Sequence, residues 1–394
     1  TAAYQRLREL GYLTSRQGAR SVVAIPAGAR GVLQPYGADV ITRISATMLD
    51  ADALTHLQQL AQETLDTLAK EACAEAGVHL LVFHGRGGGI SRGGSRTEAV
   101  VSSLPTAVAG GQLRVTEQGE TINDRYGLQP ITLRTFEQGL NTLALAVAGE
   151  RRETVKPDWQ DAVQLLSDAS RARYRGFVHD DPGFFEFFQA VTPVDVIERM
   201  QIGSRPLVRG SGSGVDTIRA VPWLFAWSQS RHMLPGWFGA GTGLAAVLDA
   251  HGAALVGEMY RDWPFFEGLV DDVEMRLARA DMDIAWHYER LYPGDVERYS
   301  TAIRQEYELT RRLVLQLKGC ARLLDAEPTL QRSIWLRNPY VDPIHLMQVQ
   351  LLRRWRAAGS PNDKGRDLDD PNRRLFPALV ASVNSIAQGL QGTG

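Results

Sequence analysis

Residues 78–83 (Val-His-Leu-Leu-Val-Phe) form an apolar run that opens directly into Phe-His-Gly-Arg-Gly-Gly-Gly-Ile-Ser-Arg-Gly-Gly, residues 83–94. The run has the length and composition of a buried strand. The loop after it holds six glycines, one imidazole (His84) and two guanidiniums (Arg86 and Arg92). Glycine lets backbone N–H groups approach a ligand closely, and arginine presents a planar fork of donors suited to carboxylate or phosphate. The stretch reads either as a flexible basic surface loop or as an anion site, and its place immediately after a core strand favours the anion site. It is neither a dinucleotide fingerprint nor a P-loop, because no G-x-G-x-x-G opens a helix and no Gly-Lys-Ser/Thr follows.

The segments before this loop alternate. Residues 21–25 (Ser-Val-Val-Ala-Ile) and 39–44 are strand candidates, and residues 53–76 carry leucines at helical spacing up to Gly77. Strand, helix, strand predicts parallel βα units, with the loop at the C-terminal end of a strand. Further strand and helix candidates follow at 112–115 and 97–104. Beyond them the pattern is almost entirely helical, at 132–148, 157–173, 195–202, 261–281, 296–318, 344–358 and 375–390. Clusters at Phe184, Phe185, Phe187 and Phe188, and at Trp223, Phe225, Trp227, Trp237 and Phe238, are expected in the core. Residues 206–214 and 360–372 read as mobile or solvated linkers.

The expected fold is α/β but strongly α-rich: a partial or remodelled (β/α)8-type barrel wrapped by many helices. Residues 1–130 form the strand region with the glycine-rich loop, and residues 131–394 form a helical region.

With 44% hydrophobic and 22% charged residues, the chain is expected to be soluble and globular. A net charge of −2 gives no electrostatic case for nucleic acid or a membrane surface. Cys73 and Cys320 are too few for a disulfide framework and suit a reducing compartment, so a cytoplasmic location is expected. No signal peptide and no apolar stretch of about 20 residues stand out.

Five blocks, in order, carry a resemblance. They are residues 83–94, residues 113–120 (Leu-Arg-Val-Thr-Glu-Gln-Gly-Glu), residues 203–206 with 218–227 (Ile-Arg-Ala-Val-Pro-Trp-Leu-Phe-Ala-Trp), residues 336–343 (Leu-Arg-Asn-Pro-Tyr-Val-Asp-Pro), and the Thr-Gly terminus. In them the chain resembles the phosphoenolpyruvate carboxylase family over residues 65–394, which corresponds to the C-terminal half of a family member; residues 1–50 do not match. The resemblance implies a carbon–carbon lyase that joins bicarbonate to phosphoenolpyruvate with Mg²⁺ or Mn²⁺, in a homo-oligomer. It implies that His84 and Arg86 lie beside the carbon dioxide and enolate, that Arg92 helps bind the anionic intermediate, and that Arg205 and Arg219 hold substrate phosphate and carboxylate oxygens. Preorganised guanidiniums suit such developing negative charge.

A second set resembles the family's feedback site for dicarboxylates such as aspartate: Arg92, Arg279, Arg337 and Gly392. The family's lysine has become Arg279 and its asparagine Gly392, so weak or absent inhibition by aspartate is expected.

The chain also lacks family motifs. The Thr-Ala-His-Pro-Thr block with the proton-transfer histidine is absent, as are the Pro-Leu-Phe-Glu and Tyr-Ser-Asp-Ser blocks that supply the metal-binding carboxylates. Asp50 and Asp52 are candidate replacement metal ligands, although either also suits a helix N-cap. His179 with Asp180 and Asp181 reads as a solvated loop more readily than a metal cluster. His232 reads as packing, and Ser91 has no visible His and Asp partners.

The chain alone is expected not to complete the family reaction. An alternative is a shortened homologue acting on another 2-oxo acid or dicarboxylate by C–C bond cleavage or decarboxylation. A further one is a non-catalytic dicarboxylate-binding subunit, against which Gly392 argues.

Overall fold

The structure is a computed structural model and describes residues 13–14, 22–23, 122, 126–148, 155–200, 214–361 and 374–390. The strands expected at 39–44, 78–83 and 112–115 and the helices at 53–76 and 97–104 lie outside these residues. Within the described residues the chain is overwhelmingly helical. Its strands there are β1 (Leu13–Thr14) and β2 (Val22–Val23), an antiparallel pair in the register Leu13 opposite Val23. The second falls inside the strand expected at 21–25.

Eleven helices follow among the described residues: α1 (Gln129–Ala148), α2 (Pro157–Val178), α3 (Phe184–Val191), α4 (Val194–Arg199), α5 (Ala220–Gln229), α6 (Ala240–Asp262), α7 (Pro264–Arg279), α8 (Met282–Glu289), α9 (Val296–Lys318), α10 (Pro328–Ala357) and α11 (Leu375–Leu390). Sequence signals set their ends. The Asp295 carboxylate accepts the Arg298 N–H at 3.2 Å and starts α9, and Gly319 stops it in the left-handed region at φ 65°. Pro264 opens α7, its fixed φ and missing N–H being no loss at a first helical position. The single helix expected over 261–281 is therefore the end of α6 and a separate α7.

Helix α10 begins sixteen residues earlier than the expected 344, at Pro328, and runs through Pro339 and Pro343. An internal proline costs about 3 kcal/mol. Its buried face spans both prolines: Ile334 packs with Met275 of α7, and Val341, Val349, Leu352 and Trp355 lie along α11. That burial offsets the cost.

Helix α6 lies between α2 and α9. With the turn before it, it forms a segment, Leu234–Asp262, long and apolar enough to cross a membrane by length and composition alone, a test that the core helix of a soluble protein also passes. The sequence reading saw no such stretch. One face of α6 (Gly241, Gly243, Leu244, Val247, Val256, Met259) is buried within the protein, and Gly252 breaks its helical geometry at φ 80°, ψ 161°. The aromatic clusters occupy the core as expected. Phe184, Phe187, Phe188, Trp223, Phe225, Trp227, Trp237 and Phe238 are all buried, and Phe185 packs against them from partly outside. Phe188 and Trp223 ring centres are 4.7 Å apart.

Candidate anion-binding site

Three of the site residues expected from sequence are described: Arg219, Arg279 and Arg337. His84, Arg86, Arg92, Arg205, Asp50, Asp52 and Gly392 lie outside the described residues.

Arg219 stands at the N-terminus of α5 on extended backbone (φ −80°, ψ 151°), and its carbonyl accepts the Trp223 N–H at 3.0 Å. The first turn of α5 contains no acidic residue. The unpaired N–H groups of a helix start and a guanidinium beside them make a positive corner that favours an anion. Burial of Ile218 on one side and of Trp223, Phe225, Ala226 and Trp227 along the helix fixes where that corner sits.

Arg279 and Arg337 lie near enough for their charges to act on each other. Arg279 closes α7 and is buried; Arg337 lies on α10, half-buried. Burial, followed by the charges of Arg276, Arg337 and Arg231, pushes the Arg279 guanidinium down to about 9. Burial also holds Arg337 below the usual arginine range. Arg337 Nε donates to the Ser333 carbonyl at 2.9 Å, whereas its Nη1 is buried with no partner among the described residues. Clustered, desolvated guanidiniums of this kind are relieved by a bound anion. The sequence reading missed Arg231, which is 1% exposed and donates through Nη1 to Asp342 Oδ1 at 3.0 Å. The available signal was an arginine in a short polar run, residues 228–232 (Ser-Gln-Ser-Arg-His), set between the aromatic-rich stretches 223–227 and 237–238.

Beneath this cluster lies a buried polar network joining four helices. The Tyr288 hydroxyl donates to Gln348 Oε1 at 2.8 Å and lies 3.1 Å from His345 Nδ1. Gln348 Nε2 donates to the Ser382 hydroxyl at 3.0 Å, and Gln229 Nε2 to the Val383 carbonyl at 3.1 Å. Burial, helped by the charge of Arg231 and opposed by the Gln229 backbone, pushes His345 down to about 3. The ring is therefore neutral in the fold, while the unfolded chain takes up a proton below about 6.5. The stability this contributes is present above that value and is lost as pH falls towards 3. At about 1.4 kcal/mol per pH unit, roughly 2 kcal/mol is lost by pH 5. Urea titrations of His345→Gln are expected to show a flatter pH dependence over this window. An unchanged slope would place the acid sensitivity elsewhere.

The other sequence candidates have separate partners. His179 Nδ1 is 2.9 Å from Asp216, Asp180 is 3.7 Å from Arg175, and Asp181 accepts from Tyr299 and the Gly183 N–H while pairing with Arg298. His232 is buried, with Nδ1 2.8 Å from the Ser230 hydroxyl and Nε2 3.1 Å from Glu289. Burial would raise Glu289, but the His232 and Ser300 hydrogen bonds and Arg304 prevail and hold it below the usual range. This Ser–His–Glu relay is sealed, all three residues being at most 1% exposed, so no substrate reaches it. It braces α8 against the turn after α5. Among the described residues no three His, Cys, Asp or Glu side chains gather to hold a metal.

The family model described as "Phosphoenolpyruvate carboxylase" matches residues 57–394, and one described as "RACo middle region" matches residues 32–81. The phosphoenolpyruvate carboxylase of Xanthomonas campestris pv. campestris is 44% identical over 326 residues, covering 82% of this chain and 35% of the relative. That of Roseiflexus castenholzii is 40% identical over 332 residues (81% and 34%). That of Alcanivorax borkumensis is 38% identical over 364 residues (91% and 39%). The chain thus spans little more than a third of the length of these relatives. With a family match running from residue 57 to the last residue, the chain belongs to the phosphoenolpyruvate carboxylase family.

Proposed function

We propose that this chain is the C-terminal, anion-holding portion of a phosphoenolpyruvate carboxylase-type lyase. In the whole reaction, phosphate leaves phosphoenolpyruvate and the enolate carbon forms a bond to carbon from bicarbonate, giving oxaloacetate and phosphate. The observation that carries the reading is Arg219 at an acid-free helix N-terminus, in a block shared with the family. There it would hold substrate oxygens and stabilise their growing charge. Arg205, His84, Arg86 and Arg92 complete the site in this reading, at the C-terminal end of strands in a (β/α)-barrel. Mg²⁺ or Mn²⁺ would neutralise substrate oxygens, with ligands drawn from outside the described residues, Asp50 and Asp52 among the candidates. Arg279 and Arg337 form a second anion pair that grips a dicarboxylate without the family's asparagine amide. The setting is a cytoplasmic homo-oligomer. The lost histidine and carboxylate blocks leave the isolated chain unable to complete the reaction.

A shortened homologue acting on a different 2-oxo acid is the second reading, favoured by residues 32–81, which resemble a different family.

An oxaloacetate-coupled assay with Mn²⁺, phosphoenolpyruvate and bicarbonate is expected to show no turnover by the chain alone. Calorimetry is expected to show phosphoenolpyruvate binding that Arg219→Gln weakens at least tenfold, about 1.4 kcal/mol. Turnover would overturn the incomplete-enzyme reading. Equal affinity of the variant would remove Arg219 from the site, and preference for pyruvate or oxaloacetate would select the second reading.

A further inference from the structure

Arg231 occupies an unusual position for a charged residue. It follows α5 by two residues, with its backbone in the left-handed region (φ 62°), which non-glycine residues adopt at a cost. It is also 1% exposed. A buried charge on strained backbone persists only where the surroundings hold it firmly. Here two segments do so. The Arg231 carbonyl accepts the Asp281 N–H at 2.9 Å, and its Nη2 lies 3.5 Å from Asp281 Oδ2. Its Nη1 donates to Asp342 Oδ1 at 3.0 Å.

Each of these aspartates neighbours one arginine of the second anion pair. Asp281 is two residues after Arg279 and caps α8, accepting the Asp283 and Ile284 N–H groups at 3.1 and 2.9 Å. Asp342 is five residues after Arg337 on α10. Burial and the charge of Asp281 push the Asp342 carboxyl up, while Arg231 pulls it back down. Arg231 therefore adds a polar tie between the turn after α7 and the middle of α10, beside the apolar packing of Met275 against Ile334. The like charges of Arg276 and Arg337 act against Arg279, and the tie opposes that repulsion.

We propose that Arg231 is a positioning residue: by binding Asp281 and Asp342 together it sets the spacing of Arg279 and Arg337, and hence their grip on a four-carbon dicarboxylate. The proposal rests on the reading of that pair as an anion site. Arg231 does not touch the ligand; it acts through the two aspartates. A guanidinium suits this role because its planar fork serves two carboxylates at once, which an ammonium on a flexible stem does not.

Succinate binding to the full chain, measured by calorimetry beside thermal unfolding, tests it. The unaltered chain is expected to bind succinate, and Arg337→Gln to abolish binding. Arg231→Gln and Asp342→Asn are each expected to weaken binding at least tenfold, and the double variant no more than the worse single one, because the two residues act as one link. Arg231→Lys is expected to recover only part of the affinity. Asp342 is about a third exposed, so its variant remains a usable test should Arg231→Gln fail to fold. No succinate binding by the unaltered chain, or binding that survives Arg337→Gln, overturns the anion pair and the proposal with it. Binding that needs Arg337 but changes less than twofold in Arg231→Gln or Asp342→Asn, whatever their melting temperatures, overturns the positioning role alone.

Discussion

Lys318→Met is expected to destabilise the fold by about 3–5 kcal/mol, the typical cost of breaking a buried ion pair by removing one partner. Lys318 ends α9 with its side chain 3% exposed, and its ammonium donates to Glu274 Oε2 at 2.7 Å and to Asp271. Glu274 is as deeply buried, and its other oxygen accepts the Leu324 N–H at 2.7 Å. Methionine fills the space of the stem but leaves the Glu274 carboxylate facing no cation. Urea denaturation is expected to show a lower midpoint at an unchanged slope. The double variant Lys318→Met, Glu274→Gln is expected to recover much of the loss, because the penalty belongs to the stranded charge. Burial alone would lower the Lys318 pKa; its bonds to Asp271 and Glu274 outweigh that and hold it above 10.5. The stabilisation is thus fully present below the ordinary lysine value and fades only as pH rises beyond it. The penalty should be equal at pH 7 and pH 9. A loss under 1 kcal/mol would mean that water already serves these carboxylates.

Gly243→Ala should be nearly as damaging, by a different route. A methyl built on Gly243 would sit 2.1 Å from the Ser170 hydroxyl oxygen and 2.7 Å from the Leu166 carbonyl of α2. The serine can rotate away, but a helix carbonyl cannot. Overpacking of this sort costs about 1–3 kcal/mol, and more where backbone must shift. Gly257→Ala on the same helix is the contrasting control. There the nearest atom is the flexible end of Arg261, at 3.3 Å. Alanine is the better helix former by up to about 1 kcal/mol, so this variant should be neutral or stabilising. If both substitutions shift the melting temperature alike, α6 does not pack against α2 as closely as described.

Periodicity made much of the helical region legible. Helices α9 and α11 coincide with the expected 296–318 and 375–390, because an apolar stripe lies between clear start and stop signals. The short aromatic helices α3 and α5 were read only as core clusters: α3 has eight residues, too few for its stripe opposite Glu186 and Gln189 to repeat, and α5 is apolar on nearly every side. The continuation of α10 through two prolines was invisible for another reason. Local chemistry forbids it, and only the burial of Val341 and its neighbours against α11 outweighs that chemistry. For the site, Arg219 and Arg337 were singled out through the blocks that contain them and Arg279 through the resemblance to the family's effector set, whereas Arg231 was not singled out. Its role depends on Asp281 and Asp342, which lie 50 and 111 residues away along the chain. Spacing of that kind is set by packing and leaves no local pattern.

The tryptophans offer an optical reading of this arrangement. Six of the eight (Trp159, Trp223, Trp227, Trp237, Trp263 and Trp355) are buried, whereas Trp335 on α10 is 70% exposed. Emission from the native protein should therefore divide into a blue, shielded component from the core and a red component from Trp335 that a neutral quencher reaches. Acrylamide suits the measurement better than iodide, whose negative charge would be drawn to the guanidiniums around Arg337, only two positions further along the same helix.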